Sequence, residues 1–357
     1  MFDCSCYVVF RNGLEDEREY EIEDGTLLAN RYRVVGTLGK GAFSRVFRCF
    51  DLQLKDTVCV KVMNNLKDST EAGLGEIKLL SLLNDIWDAS KGESPFVKLR
   101  DYMYFREHLI IVTELLGKSL KSQIRMLRDD PSPSFNPLFN PSIISAQAKT
   151  ILEGLEFLHS CGIKHCDIKP DNICLKSFDP RVVKLIDFGS AVCKRDCVNS
   201  YIQSRWYRAP EVMLGIHVDE KVDIWALGCA LVELVLGYPI FQGRSVPQVL
   251  AAQEAVLGPH PPGLLAMSPA TIYDMLFTPD GNLYMCDPDV NTCEVNVLSP
   301  NPTPLSELLP GQDTLMLDFF SSLLHYNPSE RLSASAALQH PFILKHTSAD
   351  FPASSKA

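Results

Sequence analysis

The run HCDIKPDNICL, residues 165 to 175, concentrates side chains that can do chemistry at fixed spacing. Asp167 and Lys169 stand two apart, Asn172 follows Asp167 by five, and Asp187 comes fifteen residues after Asn172 in KLIDFGSA. A carboxylate at Asp167 can orient or accept a hydroxyl proton, Asn172 and Asp187 are hard oxygen ligands for Mg2+, and Lys169 can steady a transferring phosphoryl group. Phosphoryl transfer asks little covalent help of a protein. Positioning and charge neutralisation are the tasks these residue types suit.

A second group lies upstream. GKGAFSRV begins at Gly39 directly after a strand-like run, and Gly39 and Gly41 let backbone amides approach an anion closely. Alone, a Gly-x-Gly turn is more often just a hairpin. Lys61, in VCVK, has apolar neighbours, so its ammonium is desolvated unless an anion meets it. Taken singly it reads equally well as an edge-strand lysine facing water. Within LGEIKLLSLLND, Glu76, Leu79, Leu80 and Leu83 fall at i, i+3, i+4 and i+7, which puts a carboxylate on the apolar face of a helix and makes Glu76 the candidate partner of Lys61.

These residues need elements to hold them. At 357 residues the chain exceeds the size at which one hydrophobic core normally stops growing, so two lobes or two domains are expected. Its 46% hydrophobic and 22% charged residues are those of an ordinary globular protein. A net charge of -10 argues against a broad nucleic-acid surface. The twelve cysteines include no CxxC pair, and MFDCSCYVVF is no signal peptide, so reduced thiols in a cytoplasmic or nuclear protein are expected. IWALGCALVELVLGYPIF, residues 224 to 241, contains Glu233 and Pro239 and reads as a buried helix rather than a membrane span.

Along the chain, residues 1–27 with the charged stretch EDEREYEIEDG read as an extension that docks elsewhere. RYRVVGTLGKGAFSRVFRCFD and TVCVKVM give three strands, and HLIIVTELLG gives a buried one. Beyond Gly117 the pattern turns helical. Ser142 is the expected N-cap of a long helix with Ile144, Ala148, Ile151, Leu155 and Leu158 on one face. Residues 258–313, rich in Pro, Asp and Asn with a PDGN turn, read as a surface insertion, and 346–357 as a mobile tail.

Taken in order, the Gly-rich loop, the strand lysine, the helix glutamate, the His-x-Asp loop, Asp-Phe-Gly and APE resemble a eukaryotic protein kinase from about Leu28 to Phe342. The resemblance implies an α+β bilobal fold, with a β-rich N-lobe at 28–116 and a helical C-lobe at 117–345. It implies ATP and Mg2+ as cofactors and protein substrates as partners, with no nucleic acid, no membrane and a monomeric chain. Lys61, Glu76, Asp167 and Lys169 would be catalytic, and Asn172 and Asp187 the metal ligands. Leu38, Gly39, Gly41, Val46, Cys59, Lys61, Thr113, Glu114 and Leu116 would surround ATP, with Thr113 as gatekeeper and Cys59 where alanine is usual. Glu211 of APE would pair with Arg331 of NPSERL, Asp223 would brace the catalytic loop, and Leu80, His165 and Phe188 would belong to a stacked regulatory column.

Within the kinases, SYIQSRWYRAPEVMLG and the HCD loop resemble the dual-specificity tyrosine-regulated kinases, DYRK, of the CMGC group, with 258–313 as the CMGC insert. FDCSCYVVFRN and LANRYRVV are most similar to plant and protist members. HIPK-like and splicing-associated kinases carry similar strings and stay open as alternatives. Two positions depart from the kinase pattern: Ser44 replaces the third glycine, and Cys166 replaces the arginine that meets an activation-segment phosphate. They are what favours a kinase-shaped scaffold without turnover, whereas the presence of Lys61, Glu76, Asp167, Asn172 and Asp187 favours an enzyme.

With Cys166 unable to bind phosphate, the expected switch is Tyr201, followed by Arg205 and Arg208, whose guanidiniums can bind a phosphotyrosine. The resemblance implies that the enzyme modifies this tyrosine itself. Cys166 and Cys193 flank the site and are a candidate redox pair. Proline-directed Ser/Thr phosphorylation is the group's habit, and Asp171 and Glu233 match acidic positions that face an upstream arginine in DYRK substrates.

Overall fold

Tyr32 and Val34 on one strand, and Phe47 and Cys49 on the next, turn alternate side chains to one face, and all four are buried. The strands they belong to are β2 (Tyr32–Lys40) and β3 (Ser44–Asp51), preceded by β1 (Leu27–Leu28) and followed by β4 (Asp56–Met63), α1 (Lys67–Ile86), β5 (Leu99–Phe105) and β6 (His108–Glu114). All pairings are antiparallel, in the order β1-β2-β3-β4-β6-β5. The structure is a computed structural model that describes residues 22–88, 90, 92–129, 140–176, 179–194, 202–286 and 295–347.

The sheet curls until its ends meet. Asp101 on β5 accepts from Arg31 Nη1 and from the Tyr32 hydroxyl, both at 2.9 Å, while Arg31 also forks onto Asp51 at 3.0 and 2.7 Å. Inside lie Leu28, Tyr32, Val34, Phe47, Val58, Val60, Ile110 and Val112. Ile22 joins this core, Gly25 N–H donates to Val34, and β1 pairs with β2. The end of the expected extension is thus built into the sheet, because its apolar residues complete the core; residues 1–21 lie outside the described residues.

The described chain divides into two compact units: residues up to Ser81 with Lys98–Leu115, and Leu82–Val97 with the residues from Leu116 on. Sequence order assigns all of 28–116 to one lobe. Residues 82–97 instead belong with the helical unit, since Val97 N–H donates to Leu185 O at 3.0 Å and Leu185 N–H to Pro95 O at 2.7 Å.

The helical unit contains α2 (Leu120–Asp129), α3 (Pro141–Ser160), β7 (Ile163–Lys164), β8 (Ile173–Leu175), β9 (Val183–Leu185), β10 (Val192–Cys193), α4 (Pro210–Met213) and α5 (Lys221–Leu236). It continues with α6 (Val246–Leu257), α7 (Pro262–Leu265), α8 (Ala270–Leu276), β11 (Tyr284–Cys286), β12 (Val295–Val297), α9 (Leu305–Leu308), α10 (Thr314–Leu323), α11 (Ala334–Leu338) and α12 (Pro341–Thr347). The apolar stripe of α3 is buried as its periodicity requires. Its cap, however, is Asn140, whose side chain accepts from Ser142 N–H at 2.9 Å. Pro141 lacks an N–H and fits the first helical turn, so the helix begins earlier than Ser142 indicates.

Helix α5 is buried from Val222 to Leu234 and stops at Gly237, whose φ of 79° is the left-handed C-cap that glycine favours. Among the described residues no helix is long and apolar enough to cross a membrane. The segment 258–313 contributes α7, α8, β11, β12 and α9, and its PDGN turn has Gly281 at φ 81°. The expected tail starts inside α12, and 348–357 lie outside the described residues.

Candidate active site

In the sheet unit, Lys61 Nζ donates to Glu76 Oε2 at 2.7 Å, with the two side chains 17% and 4% exposed. The helical spacing of α1 that buries Leu79, Leu80 and Leu83 also buries Glu76, and the cation it needs comes from β4. Lys61 is therefore no solvent-facing edge residue. Beside it, Cys59 pairs in register with Thr113 across β4 and β6. Burial raises the Cys59 thiol to about 11, although a hydrogen bond with Thr113 and the Lys61 charge pull the other way. That sulfur remains protonated at neutral pH.

The glycine-rich hairpin is irregular. The β2–β3 register shifts between Val34 and Gly36 and again between Thr37 and Gly39, and Gly41 N–H closes the turn on Ser44 O at 2.8 Å. Bulges of this kind sharpen strand twist. Leu38 is half exposed and Gly39 pairs with Val46. Ser44, in the place of the third glycine, is the first residue of β3 and is buried. Glu114 N–H and Oε1 are bonded to Lys98, whereas the Leu116 N–H has no hydrogen-bond partner among the described residues.

In the helical unit the residues around Asp167 form one network. Lys169 Nζ donates to Asp167 Oδ2 at 2.7 Å and to Ser204 Oγ at 2.9 Å, and the Ser204 hydroxyl donates to Asp167 Oδ1 at 2.7 Å. Asn172 Nδ2 donates to the Asp167 carbonyl and to Oδ2, both at 2.9 Å, which leaves Asn172 Oδ1 as the atom available to a cation. Ile186 N–H donates to Asn172 O at 3.0 Å and so ties Asn172 to the segment that leads from β9 to Asp187. Ser204 was not among the sequence candidates; only its place in the QSRWYRAPE string points to it.

The loop is held from α5. Asp223, wholly buried, accepts His165 N–H and Cys166 N–H at 2.9 Å each and His159 Nε2 at 3.0 Å. Burial alone would raise this carboxyl, but the His159 hydrogen bond, the His charges and the backbone donors hold it below the ordinary value. Cys166 and Asp187 adopt φ of 63° and 61°, left-handed values that cost a non-glycine residue about 1 kcal/mol or more and persist only where surroundings enforce them. His165 and Phe188 rings lie 4.9 Å apart and Phe188 meets Phe96 edge-on at 5.8 Å, while Leu80 is wholly buried in α1.

Glu211 and Arg331 pair in fork geometry at 2.7 and 2.9 Å, both fully buried. The other guanidinium hydrogens go to carbonyls of His325, Lys221 and Tyr326, so all five donors are satisfied, and the Arg331 guanidinium lies 5.0 Å from the Trp225 ring.

Other expectations fare differently. Tyr201 lies outside the described residues. Arg208 is buried and donates to the carbonyls of Ile202 and Gln203 at 2.9 and 2.7 Å, while Arg205 is exposed. Cys166 is buried and Cys193 exposed, and neither is in a disulfide; burial pushes the Cys166 thiol well above its ordinary range. Asp171 is exposed, as a substrate-facing carboxylate must be. Glu233 departs from that expectation: it is wholly buried, with Oε2 accepting from Tyr207 at 2.6 Å and Oε1 from Lys121 at 2.5 Å.

The donor set fits a nucleotide with a divalent cation. Among the described residues no group of three or more His, Cys, Asp or Glu side chains is placed to hold a metal alone. A hard cation held by the Asp187 carboxylate and the Asn172 carbonyl would complete its shell with phosphate and water oxygens, as Mg2+ with a nucleotide does. The unpartnered Leu116 N–H is a donor of the kind a purine ring accepts.

The protein kinase domain family matches residues 32–343. The DYRK-family kinase pom1 of Schizosaccharomyces pombe is 35% identical over 332 residues, 93% of this chain and 29% of its own length. The probable serine/threonine-protein kinase dyrk2 of Dictyostelium discoideum is 33% identical, over 94% of this chain and 35% of its own. Human dual specificity tyrosine-phosphorylation-regulated kinase 4 is 34% identical, over 88% and 58%. The chain thus spans about three tenths to three fifths of these relatives. A crystal structure of a kinase domain matches with a TM-score of 0.76 at 26% identity, covering 91% of this chain and 98% of the other. With ion pairs, loop network and fold in agreement, the chain belongs to the protein kinase domain family, and DYRK-family kinases stand among its relatives.

Proposed function

We propose that the chain is an active protein kinase of the DYRK type, which transfers the γ-phosphate of ATP to Ser or Thr of protein substrates and phosphorylates its own Tyr201. The observation that carries this reading is the Asp167 carboxylate, whose two oxygens are oriented by Lys169, Ser204 and Asn172. Asp167 then receives the acceptor hydroxyl and directs its proton away as the oxygen attacks phosphorus. Lys169 balances the charge on the transferring group, and Lys61, oriented by Glu76, would balance the phosphates. Asn172 and Asp187 would hold Mg2+, which supplies charge neutralisation when bound.

The departures at Ser44 and Cys166 do not weigh against turnover. Ser44 leaves the hairpin closed by Gly41, and the Cys166 backbone is fixed by Asp223 whatever side chain it carries. In the proposed switch, Arg208 braces the carbonyls directly after Tyr201, and a phosphate there would meet Arg205 and Arg208.

The test is transfer of labelled phosphate from ATP with Mg2+ to a mixture of serine peptides, with Asp187→Asn as control. Wild type should label peptides and itself, the control neither. Equal labelling by both, or none by wild type, sinks the reading.

A further inference from the structure

The buried Glu233 has a cation of its own. Lys121, which donates to it, comes from α2, and α2 packs on the turn Pro170–Asn172; Tyr207, which also donates to it, ends the turn Arg205–Tyr207 packed on α5. Lys121 and Glu233 are 17% and 0% exposed. The cluster adjoins the chemistry: Ser204, three residues before Tyr207, is bonded to Asp167 and Lys169, and Asp171 follows Asp167 by four. Asp171 is exposed, makes no hydrogen bond or ion pair among the described residues, and its charge acts on the Tyr207 hydroxyl. A peptide that offers a hydroxyl to Asp167 runs its neighbouring residues past this surface.

We propose that Lys121 is a specificity-determining residue: its ammonium fills, from within the chain, the cation position that Glu233 would otherwise offer to a basic side chain of the substrate. The inference rests on the kinase reading above and reverses the sequence expectation for Glu233. With Lys121 in place Glu233 is neutralised, and an incoming guanidinium finds only Asp171 together with the repulsion of a neighbouring ammonium. Without Lys121 the carboxylate keeps one donor, from Tyr207, and a buried charge so exposed to deficit draws in the next cation within reach.

The experiment compares serine peptides in which arginine is moved through the positions upstream of the acceptor with the same peptides carrying alanine. Wild type should show kcat/KM ratios within about threefold of unity at each position, and Lys121→Met, which keeps an apolar stem of similar length, should raise the ratio about tenfold or more at one position. Asp171→Asn added to Lys121→Met should reduce that gain. Lys121→Gln, which retains a donor for Glu233, is read in parallel, so a folding defect in one variant does not hide the answer. An arginine preference of tenfold in wild type, or ratios unmoved in the variants, overturns the proposal. Dissociation constants of the same peptides give the ratio independently, so an inactive wild type, which would sink the kinase reading, still decides the role of Lys121.

Discussion

The backbone N–H of Cys166 donates to Asp223 Oδ1 at 2.9 Å, with both residues fully buried. The same carboxylate takes His165 N–H on its other oxygen, so two successive amides of the loop that carries Asp167 converge on one charge from α5. This holds Cys166 in its left-handed backbone through main-chain bonds that do not depend on its side chain.

Asp223→Asn should therefore loosen the loop, because an amide NH2 would replace one acceptor facing backbone donors. The expected loss is about 2–4 kcal/mol of stability, with a fall in phosphate transfer, read by thermal melts and single-turnover assays. The carboxyl also predicts acid lability. Asp223 in the folded chain lies below the ordinary 3.8, and Asp51 is lowered likewise by its hydrogen bonds from Arg31 against the opposing effect of burial. The unfolded chain thus binds these protons more readily, and their contribution is complete above about pH 4 and is lost as pH falls through the folded values. Asp51→Asn should lower Tm at pH 7 and flatten its decline toward pH 3; an unaltered slope would contradict the assignment.

Arg331→Lys should behave as a severe substitution despite keeping the charge. Five donors with five acceptors cannot be matched by an ammonium, and Glu211 would be left with a partial partner. A loss of about 3–5 kcal/mol in chemical denaturation is expected, and Glu211→Gln in the same background should cost less than it does alone. Additive losses would mean that the pair is not coupled.

Glu76→Gln removes the charge that orients Lys61 while preserving shape. It should lower kcat/KM for ATP about 100-fold, and the melting temperature should change by only a few degrees. A collapse of the fold with no specific effect on ATP would assign the pair to structure instead.

Tyr201→Phe and Arg208→Lys test the proposed switch. Mass spectrometry of wild type expressed alone should find phosphate on Tyr201, and Tyr201→Phe should be less active by about tenfold and melt lower. Arg208→Lys should lose fork contacts to Ile202 and Gln203 and melt lower even when Tyr201 is unmodified. Full activity and an unchanged melt for Tyr201→Phe would remove the switch.

Much of the site was legible because residue type and spacing carry it. Lys61 on an apolar strand and Glu76 on the apolar face of α1 each called for an opposite charge, and each found the other. Asp167, Lys169 and Asn172 are near enough in sequence for one turn to gather them. Ser204 was not legible: it meets Asp167 from 37 positions away, and a serine carries no signal of its own. The cap of α3 lies two residues before Ser142 because Asn140 and Ser142 are both good caps and only backbone geometry separates them.

By itself the sequence determined β2, β3, β4, β6, α1, α3 and α5 and the chemical vocabulary, since 2-fold and 3.6-fold apolar periods, glycine turns and charged residues on apolar faces act over a few residues. Only the tertiary structure decided what neutralises Glu233 and which donors converge on Asp223. Pro95–Val97 bond to β9 at Leu185, and Glu233 is claimed by Lys121 across 112 positions instead of standing open to a substrate. A buried carboxylate accepts whichever donors packing brings within 3 Å or so, and that is settled by how distant helices meet, which no local pattern encodes.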